Sequence, residues 1–301
     1  MDERRYAWLY WNNPAGAAKV WKLESGGELI GIAAAFPRIL CQDSGKTTGY
    51  VLGDFCVSSR HRALGPAVKL QKACLAEVGT GNHPMYDFPS DRMFAVYKRL
   101  GHSEAFRFVR WARPLRSGRQ VQAHLGKNAL AGIVASALDF SIALSLPRKS
   151  SPALKIAELD GAFGPEFTSL ADDINANGTY RSADYLTWRY ARHPQLKFGV
   201  LTASGDGNLL AYLVYVAETE NFRIVDLFGH DTHGAFRALV TKVIGAAHGM
   251  GHSTVSFSIP ESHGWGTWLQ RLGFRPRESS PVVFLGGEGR QWLLLDGDRE
   301  S

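Results

Sequence analysis

The stretch YVLGDFCVSSRHRALGPAVKLQKACL, residues 50–75, decides the fold. It starts as a strand-like apolar run that ends near Val57, and an apolar-periodic helix follows the Gly65-Pro66 pair. A helix N-terminus carries unpaired N–H groups and a partial positive charge, so it binds phosphate well. Gly65 lets a ligand approach the backbone, and Arg62 adds a positive charge beside it. The stretch predicts either a phosphate cradle at a strand-to-helix junction or a tight turn with a solvated arginine.

The composition is that of a globular protein large enough for one large domain or two ordinary ones. The chain has 301 residues, of which 45% are apolar and 21% charged. Its net charge of +6 suits anionic partners such as phosphorylated cofactors, and no nucleic acid is expected. Three cysteines without metal-ligand spacing, and an N-terminus without a signal-peptide core, favour a reduced, cytoplasmic setting.

The chain repeats itself. WLYWNNPAGAAKVWKLESGGEL (8–29) aligns without gaps on WRYARHPQLKFGVLTASGDGNL (188–209), at a spacing of 180 residues. Further on, RLG recurs at 99–101 and 271–273, a spacing of 172 residues, and Asp54 matches Asp226 at the same spacing. A shorter hairpin loop in the second copy explains the change of register. The identical pairs of the first alignment are Trp8/Trp188, Tyr10/Tyr190, Pro14/Pro194, Val20/Val200, Gly27/Gly207 and Leu29/Leu209.

Each copy is predicted to run from an aromatic helix through a hairpin and a third strand to a helix, a strand, a helix and a final strand. The second copy adds a strand at 153–159 and a helix at 165–175. We therefore expect an α/β (α+β) protein of two tandem domains, each a mixed sheet flanked by helices. The predicted division is 1–113 for the first domain, 114–152 for a helical connector and 153–301 for the second domain.

Two motifs resemble those of one enzyme family. VSSRHRALGPA (57–67) is similar to the acyl-CoA-binding signature of the GCN5-related N-acetyltransferases (GNATs), Arg/Gln-x-x-Gly-x-Gly/Ala. SDRMFAVYKRLGH (90–102) resembles the family's Asn-x-x-Ala-x-x-x-Tyr-x-x-x-Gly-Phe and keeps Tyr97 and Gly101, while Ser90 replaces the asparagine. The resemblance covers residues 6–112 well and residues 153–295 weakly. It implies tandem GNAT-like acyl-CoA N-acyltransferase domains of bacterial type.

The resemblance implies a transfer of an acyl group, in particular acetyl, from CoA to a primary amine of a small molecule or an envelope sugar. Asp54 would act as the general base and Tyr97 as the acid for the leaving thiolate, with no metal. The thioester carbonyl would meet a backbone N–H between Phe55 and Val57. The implied CoA-binding residues are Phe55, Cys56, Val57, Arg62, Ala63, Leu64, Gly65, Ala67 and Ser90.

Other readings stay open at several of these positions. The alternative for Asp54 is a structural residue of a strand end, which its match Asp226 supports, and the alternative for Tyr97 is a core residue of an amphipathic helix. Cys56 is read as a structural thiol. The apolar run 129–146 predicts a buried or inter-domain helix, with peripheral membrane contact as the alternative.

The second copy departs from the signature that the first one carries. GHDTHGAFRALV (229–240) lacks the spacing of the acyl-CoA loop, and Leu269 stands where Tyr97 stands in the first copy. We therefore expect the second copy to be degenerate. We also expect an acceptor cleft between the two copies, beside Asp54 and Tyr97, with one wall from the second copy or from the connector. A Fem-type aminoacyl transferase and a non-catalytic scaffold remain as alternative functions.

Overall fold

The computed structural model describes residues 2–42, 45–61, 64–79, 83–116, 153–174, 176–286 and 291–300. The predicted connector helix at 129–146 lies outside the described residues. The first half contains, in order, α1 (Glu3–Tyr6) running into a π-helical turn (Ala7–Trp11), β1 (Lys19–Ser25), β2 (Glu28–Gln42), β3 (Gly45–Val57), a 3-10 turn (Ser59–His61), α2 (Leu64–Gly79), β4 (Met85–Asp87), α3 (Asp91–Arg99) and β5 (Phe106–Pro114).

The second half repeats this order after two additional elements and a short strand. It contains β6 (Lys155–Glu158), α4 (Pro165–Asp173), β7 (Gly178–Thr179), α5 (Ala183–Leu186) with a π-helical turn (Thr187–Ala191), β8 (Phe198–Gly205), β9 (Asn208–Ala217), β10 (Asn221–Gly229), a 3-10 turn (Thr232–Gly234), α6 (Ala235–Gly249), β11 (Thr254–Pro260), α7 (Trp265–Arg271), β12 (Arg275–Leu285) and a 3-10 turn (Asp296–Asp298). The predicted tandem α/β organisation is confirmed.

The two halves match down to single residues of their first hairpins. The β1–β2 turn places Gly26 and Gly27 at positive φ (58° and 81°), and the β8–β9 turn does the same with Asp206 and Gly207 (50° and 81°). Positive φ at both central residues is what a two-residue hairpin of this twist requires, so glycine is favoured there. Both hairpins also carry a register shift just before the turn, between Leu23/Glu24 and between Ala203/Ser204.

Local sequence explains the helices that flank the sheet. On α2, Leu70, Cys74 and Val78 are buried, and their spacing of four residues places them on one face. Helix α3 begins where the Ser90 hydroxyl accepts a hydrogen bond from the Met93 N–H at 3.3 Å, as an N-cap does.

All the strands except β7 follow one path through a continuous sheet, in the order β1-β2-β3-β4-β12-β5-β11-β10-β9-β8-β6. The last strands of the two halves change places. β12 of the second half lies between β4 and β5, and β5 of the first half lies between β12 and β11. Each half therefore completes its sheet with a strand of the other half, and the hydrophobic core runs through both.

The aromatic turns of the two halves meet face to face. The rings of Trp8 and Trp188 stack with their centroids 4.7 Å apart. The Trp8 indole N–H donates to the Trp188 carbonyl at 2.8 Å, and the Trp188 indole N–H donates to the Trp8 carbonyl at 3.0 Å. This reciprocal pair explains why both copies begin with a tryptophan at the matching position, since a buried indole N–H needs an acceptor.

Candidate active site

The main candidate site lies where two parallel strands of the first half part. β3 and β4 pair through Tyr50 with Met85 and through Val51 with Tyr86. Beyond these pairs a cavity of about 640 Å³ opens between residues 53–57 of β3 and the chain that follows β4. It is lined by Gly53, Asp54, Phe55, Cys56, Val57, Leu64, Ala67, Asp87, Phe88, Pro89, Ser90, Arg92, Met93, Ala95, Val96 and Glu300.

Asp54 lies in a bulge of β3 at the edge of this cavity. Its φ is 45°, and the register between β2 and β3 shifts opposite it, between Ile32 and Ala34. A bulge of this kind bends the strand and changes the direction in which the Asp54 side chain points. Its carboxylate accepts a hydrogen bond from the Tyr10 hydroxyl at 2.8 Å, and Arg5 lies 3.6 Å from the same oxygen.

The matching aspartate of the second half has the same type of partner. Asp226 accepts a hydrogen bond from the Tyr190 hydroxyl at 3.0 Å, as Asp54 does from Tyr10. Asp226 is fully buried and also pairs with Arg181 at 3.1 Å. The tyrosine–aspartate contact that both halves share shows that Asp54 has a structural partner. Asp54 differs from Asp226 in that it lines the cavity.

The structure places Tyr97 behind the cavity wall. Tyr97 has no exposed surface, and its hydroxyl donates to the Asp87 carboxylate at 2.7 Å and accepts from the Gln71 amide at 3.0 Å. Burial, followed by the charge of Asp87, raises the pKa of Tyr97 well above its ordinary value. Tyr97 was expected to reach the thiolate directly; it is not among the residues that line the cavity, whereas its hydrogen-bond partner Asp87 is.

Asp87 and Glu300 are acidic residues of the cavity that the sequence analysis missed. Burial, together with the charge of Glu300, raises the pKa of Asp87 to about 7. Burial also raises the pKa of Glu300. The sequence held one local signal, since a glycine inside a strand, such as Gly53, often marks a place where another group comes close to the backbone. Here that group is Glu300, because a Cβ on Gly53 would lie 2.5 Å from the Glu300 Cγ.

Six of the predicted CoA-binding residues line the cavity. Phe55, Cys56 and Val57 line it from β3, Leu64 and Ala67 line it from the first turns of α2, and Ser90 lines it from the start of α3. Gly65 lies on α2 with open space on its Cβ side, since no atom lies within 4 Å of that position. Arg62 and Ala63 lie outside the described residues.

No protein-family profile and no curated protein matches the chain, whereas solved structures do. The structure of an Enterococcus faecalis protein described as a probable N-acyltransferase matches with a TM-score of 0.67 and 15% identity over 94% of this chain and 65% of that one. A GCN5-related N-acetyltransferase from Anabaena variabilis matches with a TM-score of 0.66 and 12% identity, over 94% of this chain and 64% of that one. The chain thus spans just under two thirds of the length of these two proteins.

A third structure matches the chain as a tandem protein. It is a tandem GNAT protein from the clavulanic acid biosynthesis pathway, with a TM-score of 0.54 and 13% identity over 92% of this chain and 85% of that one. The fold is that of a tandem GNAT. The predicted fold class is confirmed.

In the second GNAT-like half, the chain itself fills the position that corresponds to the cavity. β10 and β11 pair in parallel from Asn221 to Ile224, and the 3-10 turn Asp296–Asp298 lies where they part. Gly297 is buried there, and a Cβ on it would lie 3.2 Å from the Val225 carbonyl oxygen. The second half therefore lacks the loop signature, and residues 296–298 occupy the gap between its parting strands.

Three further features of the sequence concern metal binding, membrane contact and the cysteines. Within the described residues, no group of three or more His, Cys, Asp or Glu side chains has the arrangement of a metal site. None of the helices in that part of the chain is both long and apolar enough to cross a membrane. The prediction of a structural thiol at Cys56 is wrong, because Cys56 is exposed and lines the cavity, whereas Cys74 is buried.

Proposed function

We propose that the chain is an acyl-CoA-dependent N-acyltransferase whose reaction takes place in the first half. The observation that carries the proposal is the cavity between the parting strands β3 and β4, bounded by the N-terminus of α2 and by three carboxylates. An acyl-CoA molecule has an anionic pyrophosphate in its CoA part and a reacting thioester carbonyl at its far end. The cavity provides a different environment for each of them.

The pyrophosphate of CoA would bind at the start of α2. The 16-residue helix concentrates unpaired N–H groups there, and the open space beside Gly65 lets phosphate oxygens approach them. The predicted contacts are the N–H groups of Ala63, Leu64, Gly65 and Ala67, with the Arg62 guanidinium beside the phosphates.

The thioester would lie against residues 55–57 of β3, where a backbone N–H can stabilise the oxyanion. The amine nitrogen forms a bond to the carbonyl carbon, and the bond from that carbon to sulfur breaks. Asp54 would take the proton that the attacking nitrogen loses. The thiolate would gain a proton from the buried pair Asp87–Tyr97, which Gln71 keeps in place.

Calorimetry with acetyl-CoA tests the proposal. We expect one molecule to bind per chain, because the position in the second half is filled by residues 296–298. Gly65→Val should abolish binding and leave the fold intact, since the added methyl groups meet open space now and phosphate in the complex. Gly245→Val is the matched control, an exposed helical glycine of α6 that also has no atom within 4 Å of its Cβ position.

Two results would contradict these assignments. Unchanged affinity in Gly65→Val would place the phosphates elsewhere, and two molecules per chain would show that the second half binds CoA. The burial of Tyr97 favours a second candidate, a binding protein without catalysis. A chain that binds acetyl-CoA but transfers its acyl group to none of a panel of primary amines would support that candidate.

A further inference from the structure

A second cleft, of about 780 Å³, lies between the two aromatic turns Ala7–Trp11 and Thr187–Ala191. We call it the axial cleft, because the reciprocal hydrogen bonds of Trp8 and Trp188 relate the two turns by an approximate twofold axis. Within the described part of the chain it shares no lining residue with the cavity of the first half. Its lining includes matched positions of the two halves, namely Arg4/Asp184, Trp8/Trp188 and Asn12/Arg192.

The second half's side of the axial cleft carries two exposed charges of opposite sign. Asp184 lies in the first turn of α5, and Arg192 is the C-cap of the π-helical turn that continues it. Neither side chain has an ion-pair partner among the residues that the structure describes. Because a helix rises about 1.5 Å per residue, the segment from 184 to 192 spans roughly 12 Å, which is too far for the two charges to pair with each other.

The same face of a second copy would pair both charges. Asp184, Thr187, Trp188 and Arg192 all line the axial cleft, so they lie along one face of their segment. When two identical faces meet across a twofold axis in antiparallel directions, the two ends of one face lie opposite the reversed ends of the other. Asp184 of each copy then lies opposite Arg192 of the other copy. The charges on this face are therefore complementary to themselves.

Trp11 gives the surface beside the axial cleft an apolar anchor. Trp11 is 64% exposed, and its ring contacts that of Tyr6 edge to face, with the centroids 6.5 Å apart. It is the last residue of the first π-helical turn and directly precedes Asn12 of the cleft. The matching position in the second half holds the exposed Ala191, so the turn itself does not require an aromatic ring there. Tryptophan is enriched among the residues that contribute most to binding between proteins.

We infer that the axial cleft and Trp11 form the contact surface of a symmetric homodimer, in which Asp184 and Arg192 make two reciprocal ion pairs and Trp11 of each copy is buried. The occupant is a second copy of this chain because the surface carries its own complementary charge at the distance that a twofold contact requires. This inference goes beyond the proposed function and does not depend on it.

Sedimentation equilibrium of the full chain tests the inference. The native chain should form a dimer with a dissociation constant of about 10 µM or lower. Arg192→Glu should raise this constant about thirtyfold, because one substitution in a symmetric dimer replaces two attractive contacts by two repulsive ones. Asp184→Arg should have a similar effect. The double variant, Asp184→Arg with Arg192→Glu, should restore the native constant, since both pairs are attractive again. The exposed Arg271→Glu makes the same change of charge on α7, and this control should leave the constant unchanged.

A further variant tests the apolar part of the contact. Trp11→Ser should raise the dissociation constant about tenfold or more, while thermal unfolding of the monomer stays as in the native chain, because Trp11 is exposed. A native chain that remains monomeric at about 100 µM overturns the inference. It is also overturned if the single charge reversals leave the dimer intact, if the double variant does not restore it, or if Arg271→Glu weakens it equally. None of these outcomes affects the binding of acetyl-CoA, so the proposed function stands or fails separately.

Discussion

The exchange of last strands predicts that the first half does not fold by itself. A chain ending at residue 116 would keep β4 and β5 and lose β12, which lies between them and pairs with both. It would also lose β11, the neighbour of β5 on the other side. Among the described residues, both strands that pair with β5 come from the second half, so the fragment would expose both edges of β5.

The size of the loss follows from the residues that β12 buries. Val282, Val283 and Phe284 are at most 5% exposed. Removing three such side chains from the core costs about 6 kcal/mol in total. Phe108 and Trp111 of β5 would lose burial in addition, and a whole domain is stable by only about 5–15 kcal/mol. The fragment should therefore be unfolded or aggregated.

Expression of residues 1–116, followed by gel filtration and thermal unfolding, measures this directly. The matched control is the same fragment with residues 274–286 attached through a flexible glycine-serine linker, which returns β12 to its place. We expect the control to gain soluble, cooperatively unfolding protein that the plain fragment lacks. A monomeric plain fragment with its own cooperative transition would refute the reasoning from strand exchange.

Two further predictions concern the tyrosine–aspartate pairs and the buried carboxylate. Tyr10→Phe should lower the free energy of unfolding by about 1 kcal/mol in urea titrations, and Tyr190→Phe by about 2 kcal/mol, because Asp226 is more deeply buried than Asp54; equal losses would contradict this. The pKa of Asp87, about 7 against an ordinary 3.8, favours its protonated form in the folded state, so Asp87 makes the fold less stable as the pH rises from about 4 through 7. The stability of Asp87→Asn relative to the native chain should therefore rise by about 4 kcal/mol between pH 4 and pH 8, and a constant difference would show that Asp87 is charged throughout.

The sequence predicted the elements of each half because their signals are local. Hairpin glycines, the Ser90 cap and the apolar spacing of α2 each lie within a few residues of the structure that they determine. The match of Trp8 with Trp188 was visible as a repeat, but the sequence did not predict that the two rings stack on each other. The bulge at Asp54 was not foreseen, since it depends on register against β2 rather than on composition.

What the sequence did not predict depends on contacts between distant parts of the chain. Strand periodicity tells which residues of β12 are buried and does not tell which strand lies beside it. The apolar spacing of α3 fits both a core tyrosine and a catalytic one, and it is the hydrogen bond to Asp87 that places Tyr97 behind the wall. Glu300 has no local motif at all, because Gly53 and the anchored C-terminal segment bring it to the cavity.

These long-range contacts explain why a second half whose own gap between β10 and β11 is filled still belongs to the site. It contributes β12, which completes the sheet beside β4, and it contributes the segment that carries Glu300. The turn Asp296–Asp298 fills the second half's own gap between β10 and β11, and the same turn directs Glu300 into the first half's cavity. A mutation that reopened the gap in the second half would therefore also disturb the cavity in the first. Residues 296–300 thus both fill the gap in the second half and line the cavity in the first half.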